Sequence, residues 1–364
     1  MLVAFWAIRF SGVVAHLTSA SYLIPGDHDD ALEQAWMSWW AGKALLSGDL
    51  QLLHCPLLNH PYGSNAMSVS VAYVHVSISG LLRPLFGPIG AINAVFVAVS
   101  LFVLVALYAL FRTAGGARPF ACGAAILFSV YAVQANGEYP DLELANYGLL
   151  ALAITSWLAL VRKGGVGRFV VAALLTGATL AVQSYYGIEL YAFLGLAAMA
   201  LLARRGPVAE PRRGALVWTM GVMLVAVALA ALPLRPSLDY MAGMVQHGGP
   251  QAAPPIHGAA VAGVATGREG LPAAYLLSLV PLALLVFLDR RWSSGFWLAA
   301  FAVFVVLALG QAAALWPGGT AIPMPFGWLR EHLPLLWRFH YPRRFALPAA
   351  LCLCILLGRI AARW

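Results

Sequence analysis

Charge is scarce in this chain. Its 364 residues include 22 Lys and Arg and 14 Asp and Glu, so 10% are charged, where a soluble domain carries about 25%. So few charges cannot cover the surface of a water-soluble protein of this size. Hydrophobic residues make up 62% of the chain, and its mean hydropathy is +0.81. An integral membrane protein is predicted. Cysteine is also sparse. Cys55, Cys122, Cys352 and Cys354 form no CxxC, and three of them fall in apolar runs, so neither a disulfide framework nor a zinc site is indicated. Residues 1–24 lack a basic leading segment and a small-residue cleavage site, and they read as a first spanning helix interrupted by Arg9 and His16. The net charge of +8 does not point to nucleic acid, because Lys and Arg lie singly or in pairs between apolar runs and form no solvated patch.

What the chain does contain is a series of apolar runs. A spanning helix needs about 20 mostly apolar residues. Runs near that length occupy 1–24, 91–111, 119–135, 144–161, 169–184, 187–203, 214–234, 271–288, 295–313 and 346–361. The predicted fold is therefore all-α, a single polytopic domain over 1–364 with about ten transmembrane helices. Orientation follows from where the basic residues fall. With the N-terminus cytoplasmic, the inner turns hold Arg112, Arg118, Arg162, Lys163, Arg168, Arg204, Arg205, Arg212, Arg213, Arg290, Arg291, Arg359 and Arg363. Those turns hold only two acids, Glu210 and Asp289. Both termini are predicted inside, and the remaining acids outside or near the outer side.

The outer segments are the long ones, at 25–90, 235–270 and 314–345. Loops of that length are usually functional or disordered, and Trp36, Trp39, Trp40, Tyr62 and Tyr73 make the first too aromatic for disorder. Within it, Leu32, Ala35, Trp36, Trp39, Trp40 and Leu46 recur near helical spacing after Asp29 and Asp30, which describes an interfacial amphipathic helix. Residues 68–86 carry Ser68, Ser70, His75, Ser77, Ser79 and Arg83 and read as a re-entrant or interfacial segment, with a full span as the alternative. Residues 247–270 are rich in Gly, Ala and Pro and read as a flexible outer loop, either a lid or a plain linker.

Four stretches in order carry a resemblance: PGDHDDALEQAWMSWW with PLLNHPYG after the first helix, NGEYPDLELANYG after the third, QSYYG at an outer turn, and an outer loop with IPMP and LPLL leading through RFHYPRRF into a helix. Together they resemble the GT-C superfamily of membrane glycosyltransferases, in particular bacterial members of unassigned substrate. The resemblance implies a multi-pass enzyme of the inner (cytoplasmic) membrane and cell envelope with an extracytoplasmic active face. It would move a sugar, with inversion, from a polyprenyl-phosphate donor to a glycan, lipid or protein acceptor. It also implies an acidic residue in the first outer loop, which by position is Asp27, with Asp29 and Asp30 beside it. The second acidic stretch departs from the DE or DD pair of some branches.

The residues themselves support particular roles. A carboxylate at Asp27 or Asp29 can take the proton of an acceptor hydroxyl, and the pair permits two oxygens to converge on Mg²⁺ or Mn²⁺. Asp30 is better placed to cap the following helix. Glu138, Asp141 and Glu143 can orient an acceptor or complete a metal site, or can simply be acids tolerated in an outer turn. Arg338, His340, Arg343 and Arg344 form the densest outer basic cluster, against the positive-inside bias. Guanidinium groups bind phosphate bidentately, so this cluster is a candidate for the donor phosphate, with anionic headgroups as its other explanation. Tyr185 and Tyr186 suit either a substrate cavity or the membrane interface, whereas Glu189 stands out because it lies within an apolar run. Two other functions fit the same composition: a transporter or flippase for a lipid-linked substrate, and a non-catalytic scaffold of the same fold.

Overall fold

A computed structural model of the protein describes residues 1–14, 29–48, 54–55, 64–65, 73–135, 147–203, 214–246, 292–310, 312–313, 322–333, 336 and 342–362. The described chain is helical. Its helices are α1 (Leu2–Val14), α2 (Asp29–Leu46), α3 (Tyr73–Thr113), α4 (Arg118–Ala135), α5 (Tyr147–Lys163), α6 (Val166–Val182), α7 (Ser184–Leu202), α8 (Ala215–Gln246), α9 (Trp292–Ala308), α10 (Pro325–His332) and α11 (Ala346–Ala361). A 3-10 turn over Pro342–Phe345 leads directly into α11. Two antiparallel ladders of two residues each, which periodicity did not suggest, pair His54–Cys55 with Ser64–Asn65 and Ala312–Ala313 with Ile322–Pro323.

By length and composition, two helices are long and apolar enough to cross a membrane, Val74–Thr113 and Tyr185–Leu202, and five shorter helices are also apolar. Leu127, Leu174, Leu202, Val217 and Leu224 project outward from these helices and are exposed.

The segment at 73–86 runs into the next predicted span. Gly87, at φ 72° and ψ 175°, breaks the helical path between Pro84 and Pro88, so α3 is two helices joined at a kink. A positive φ of this kind is open to glycine. The first half of α3 packs against α2 with almost no gap. A Cβ on Gly80 would lie 2.4 Å from Gly42 N, and Ser38 Oγ donates to Ser79 Oγ at 2.8 Å across the same contact.

One boundary differs from expectation. The run at 214–234 was predicted to end where an outer loop begins at 235, yet α8 continues helically to Gln246. An interior proline removes one hydrogen-bond donor and crowds the carbonyl four residues before it, yet the chain goes on helically through Pro233 and Pro236 into SLDYMAGMVQ.

Trp157 of α5 sits at the centre of the bundle. It is fully buried, donates Nε1–H to Thr219 Oγ1 of α8 at 3.0 Å, and meets Phe193 of α7 edge-on at 5.5 Å. Phe193 in turn contacts Phe296 and Trp297 of α9, each at 5.6 Å. Aromatic pairs of this geometry add to area burial, and they fix α5, α7, α8 and α9 relative to one another. Tight turns then set the two ends of the bundle. Gly164 and Gly165, at φ 64° and 105°, reverse the chain between α5 and α6.

Candidate functional site

The site begins with how α7 starts. Gln183 is extended, at φ −146° and ψ 102°, and breaks the chain between α6 and α7. Its N–H closes α6 on Thr179 O at 3.1 Å, and its side-chain Oε1 accepts from Tyr185 N at 3.4 Å. A side-chain acceptor here satisfies one of the open N–H groups of a helix start. The two helices then cross closely, because a Cβ on Gly187 would lie 2.7 Å from Leu180 Cα. Tyr185 and Glu189 are four residues apart, which places them one turn apart on one face of α7. Tyr186 faces the core, where it meets Tyr147 of α5 edge-on at 6.5 Å, and Tyr147 meets Phe128 of α4 at 5.7 Å.

The second half of the site comes from the 3-10 turn before α11. Phe345 stacks on Phe304 at 6.2 Å and meets Phe326 edge-on at 5.9 Å, which anchors the turn in the core. The preceding residue, Arg344, extends its guanidinium over the Tyr185 ring, 4.2 Å from the centroid. Glu189, one turn of α7 from that ring, is 0% exposed, and neither of its carboxylate oxygens has a hydrogen-bond partner among the described residues. The aromatic face attracts the cation by its quadrupole. Arg344 also stands at the N-terminal end of α11, where the helix macrodipole disfavours a positive charge. The ring offsets part of that penalty.

No protein-family model, curated protein or solved structure matches this chain. The chemistry of the site therefore has to be read from its own residues. A guanidinium held on an aromatic platform presents a planar fork, and that fork suits a phosphate or a carboxylate.

The structure thus joins two groups that the sequence presents more than 150 residues apart, Arg344 from the basic cluster and Tyr185 from the QSYYG turn, with Glu189 one turn along α7. Tyr186 serves packing. Arg343 lies in the 3-10 turn beside Arg344. Arg338, His340, Asp27, Glu138, Asp141 and Glu143 lie outside the described residues, and Asp29 opens α2. Among the described residues, no group of three or more His, Cys, Asp or Glu is placed to hold a metal ion. Two contributors were not singled out in the sequence. Gln183 could have been found as a polar residue ahead of an apolar helix, whereas nothing in the sequence marks Phe345 as the anchor of the arginine turn.

Proposed function

We propose that the chain is a polytopic membrane glycosyltransferase of the GT-C type, taking a sugar from a polyprenyl-phosphate donor to an extracytoplasmic acceptor. The observation that carries this reading is Arg344, held over Tyr185, one turn of α7 from the buried Glu189, at one end of the helix bundle. Membrane residence is supported by the composition, by the long apolar helices and by the exposed leucines and valines on their outer faces. Large exposed apolar surface of this kind fits lipid rather than water. Both termini are assigned to the cytoplasm, and the Arg344 end to the outer side of the inner membrane.

In this reading the acceptor hydroxyl attacks the anomeric carbon opposite the phosphate, and the carbon–oxygen bond to the phosphate breaks. The electron pair leaves on the phosphate oxygen, inverting the sugar, and the hydroxyl proton passes to a carboxylate, assigned to Asp27. Arg344 meets the negative charge growing on the leaving phosphate, the kind of interaction that accelerates transfer when donors are fixed in advance. A polyprenyl chain enters laterally from the bilayer.

The test is transfer by the full chain reconstituted in proteoliposomes with polyprenyl-phosphate-linked sugars. Sugar transfer that is lost in Arg344→Gln and in Asp27→Asn is the expected result. Wild-type transfer by the Arg344→Gln variant sinks the role given to the arginine. Movement of the lipid-linked sugar across the bilayer with no transfer product favours a flippase.

A further inference from the structure

We infer that Glu189, as the uncharged acid, donates a hydrogen bond to the phosphate that Arg344 holds. This rests on Arg344 as the phosphate ligand and adds a second ligand beside it. Glu189 is 0% exposed, and neither of its carboxyl oxygens has a hydrogen-bond partner among the described residues. Buried polar groups are nearly always paired, and an acid inside an apolar helix points to a site. The faces of α7 show which way it turns. Tyr186 and Phe193 meet Tyr147 and Trp157 of α5, and Tyr191 donates to Met223 O of α8 at 2.6 Å. Tyr185 lies on a third face, where the guanidinium of Arg344 covers its ring. Glu189 shares that face, about 6 Å further along the helix axis at about 1.5 Å per residue.

The setting selects the form of the acid. An ionised carboxylate without water or a partner is far costlier to bury than the neutral group, and it would repel a phosphate. The neutral acid has an O–H to give, and a hydrogen bond to an ionised oxygen is one of the strong kinds. Protonated carboxyls serve as donors to developing oxyanions in apolar enzyme sites. A phosphate has oxygens enough to accept from the Arg344 fork on one side and from Glu189 on another. Arg344 supplies the positive charge, and Glu189 supplies a donor that adds no charge of its own. Because negative charge grows on the leaving phosphate during transfer, both contacts strengthen in the transition state.

Two substitutions separate a donor from a structural group, because Glu189→Gln keeps an N–H and Glu189→Met keeps only the volume. Binding of farnesyl phosphate to the full chain in nanodiscs is followed by calorimetry, with farnesol as the probe that lacks the phosphate. Glu189→Gln is expected to bind farnesyl phosphate within about threefold of wild type and Glu189→Met about tenfold more weakly, a shift of about 1.4 kcal/mol. Both should bind farnesol as wild type does. In steady-state transfer, kcat/KM follows the same order. Wild-type binding of farnesyl phosphate by Glu189→Met makes the glutamate purely structural, and an equal loss of farnesol makes the effect one of distortion; either result overturns the donor role. Tighter binding in Glu189→Gln, the mark of an ionised group that repels phosphate, overturns it as well, and so does binding as poor as that of Glu189→Met. Should Glu189→Met not assemble, Glu189→Leu is held to the same expectation. If Arg344→Gln binds farnesyl phosphate as wild type does, the phosphate-binding role of the arginine is what fails. If Arg344→Gln loses binding and Glu189→Met does not, only the role of Glu189 fails.

Discussion

At one end of the bundle arginines serve the main chain, and at the other an arginine rests on an aromatic ring. Arg112 donates to Gly116 O at 2.6 Å, Arg168 to Gly164 O at 2.9 Å and Arg162 to Thr113 O, so the turns between α3 and α4 and between α5 and α6 are closed by guanidinium groups on carbonyls. Arg359, near the end of α11, lies against Gly115 of the same region. Cations near the C-terminal ends of α3, α5 and α11 meet the negative end of each helix dipole, and no ligand is needed to explain them. Arg344 stands at the opposite end, before the N-terminus of α11, over the Tyr185 ring. Arg168 sits in the first turn of α6, an N-terminal end like that of Arg344, and still closes on Gly164 O. Neither counting basic residues per loop nor the helix end separates the two cases, whereas the group on which each guanidinium rests does.

The sharpest way to break this comparison is to neutralise one arginine from each end. Arg344→Gln is expected to lower kcat/KM for transfer by about a hundredfold or more, the scale at which single fixed donors act on a developing oxyanion. Its thermal midpoint should stay close to wild type. Loss of stability with unchanged transfer would make Arg344 another structural arginine.

Steric changes at the two ends come next. Gly187→Val places a side chain where even a Cβ would meet Leu180 Cα at 2.7 Å, while Gly358→Val drives one into Phe120, whose ring lies 2.6 Å from the Cβ position. Both are expected to destabilise the fold by about 1–3 kcal/mol, as overpacking does. Only Gly187→Val should also weaken phosphate binding, because the crossing it opens is the one that sets Tyr185 and Glu189 on α7. Equal loss of binding in both variants would mean that the site responds to global packing and not to the α6–α7 crossing.

Much of this division was legible in the sequence. The apolar run at 346–361 coincides with α11, the run at 119–135 is α4 but for one residue, and Arg112, Arg162 and Arg168, placed on one side by the apolar runs, lie at one end of the bundle. Apolar length and charge placement determine such features locally. Glu189 was conspicuous for a related reason, a lone acid inside an apolar run. The meeting of Arg344 with Tyr185 was not legible, because it depends on how α7 and α11 pack, and a single sequence carries no signal for a contact of that range. The extension of α8 past 234 was not legible, because the run was bounded by apolar content, and Arg235, Ser237 and Asp239 end that content while the helix goes on. The small ladder at His54–Cys55 and Ser64–Asn65 is too short for alternation to show.

At the arginine-rich end, Arg162→Gln is a milder test. It removes the donor to Thr113 O and a charge at the end of α5, and a loss of about 1 kcal/mol is expected in a thermal or denaturant measurement. Affinity for farnesyl phosphate should not change. A change in affinity would mean that the two ends are coupled and would remove the basis for treating them separately.

The smallest effect concerns the ring beneath Arg344. If Tyr185 acts as a platform, its π face matters and its hydroxyl does not, so Tyr185→Phe should bind farnesyl phosphate within about twofold of wild type. Tyr185→Leu keeps apolar volume but removes the quadrupole that attracts the guanidinium, and a loss of about three- to tenfold is expected, in line with a cation–π contribution of about 0.5–1.4 kcal/mol. The order of the two variants carries the argument more than either value. A hydroxyl donating to phosphate would reverse it, making Phe as poor as Leu, and would convert Tyr185 from a support for Arg344 into a ligand in its own right. Either order still separates this end from the other, where Arg112, Arg162 and Arg168 rest on carbonyls and an aromatic substitution has nothing to act on.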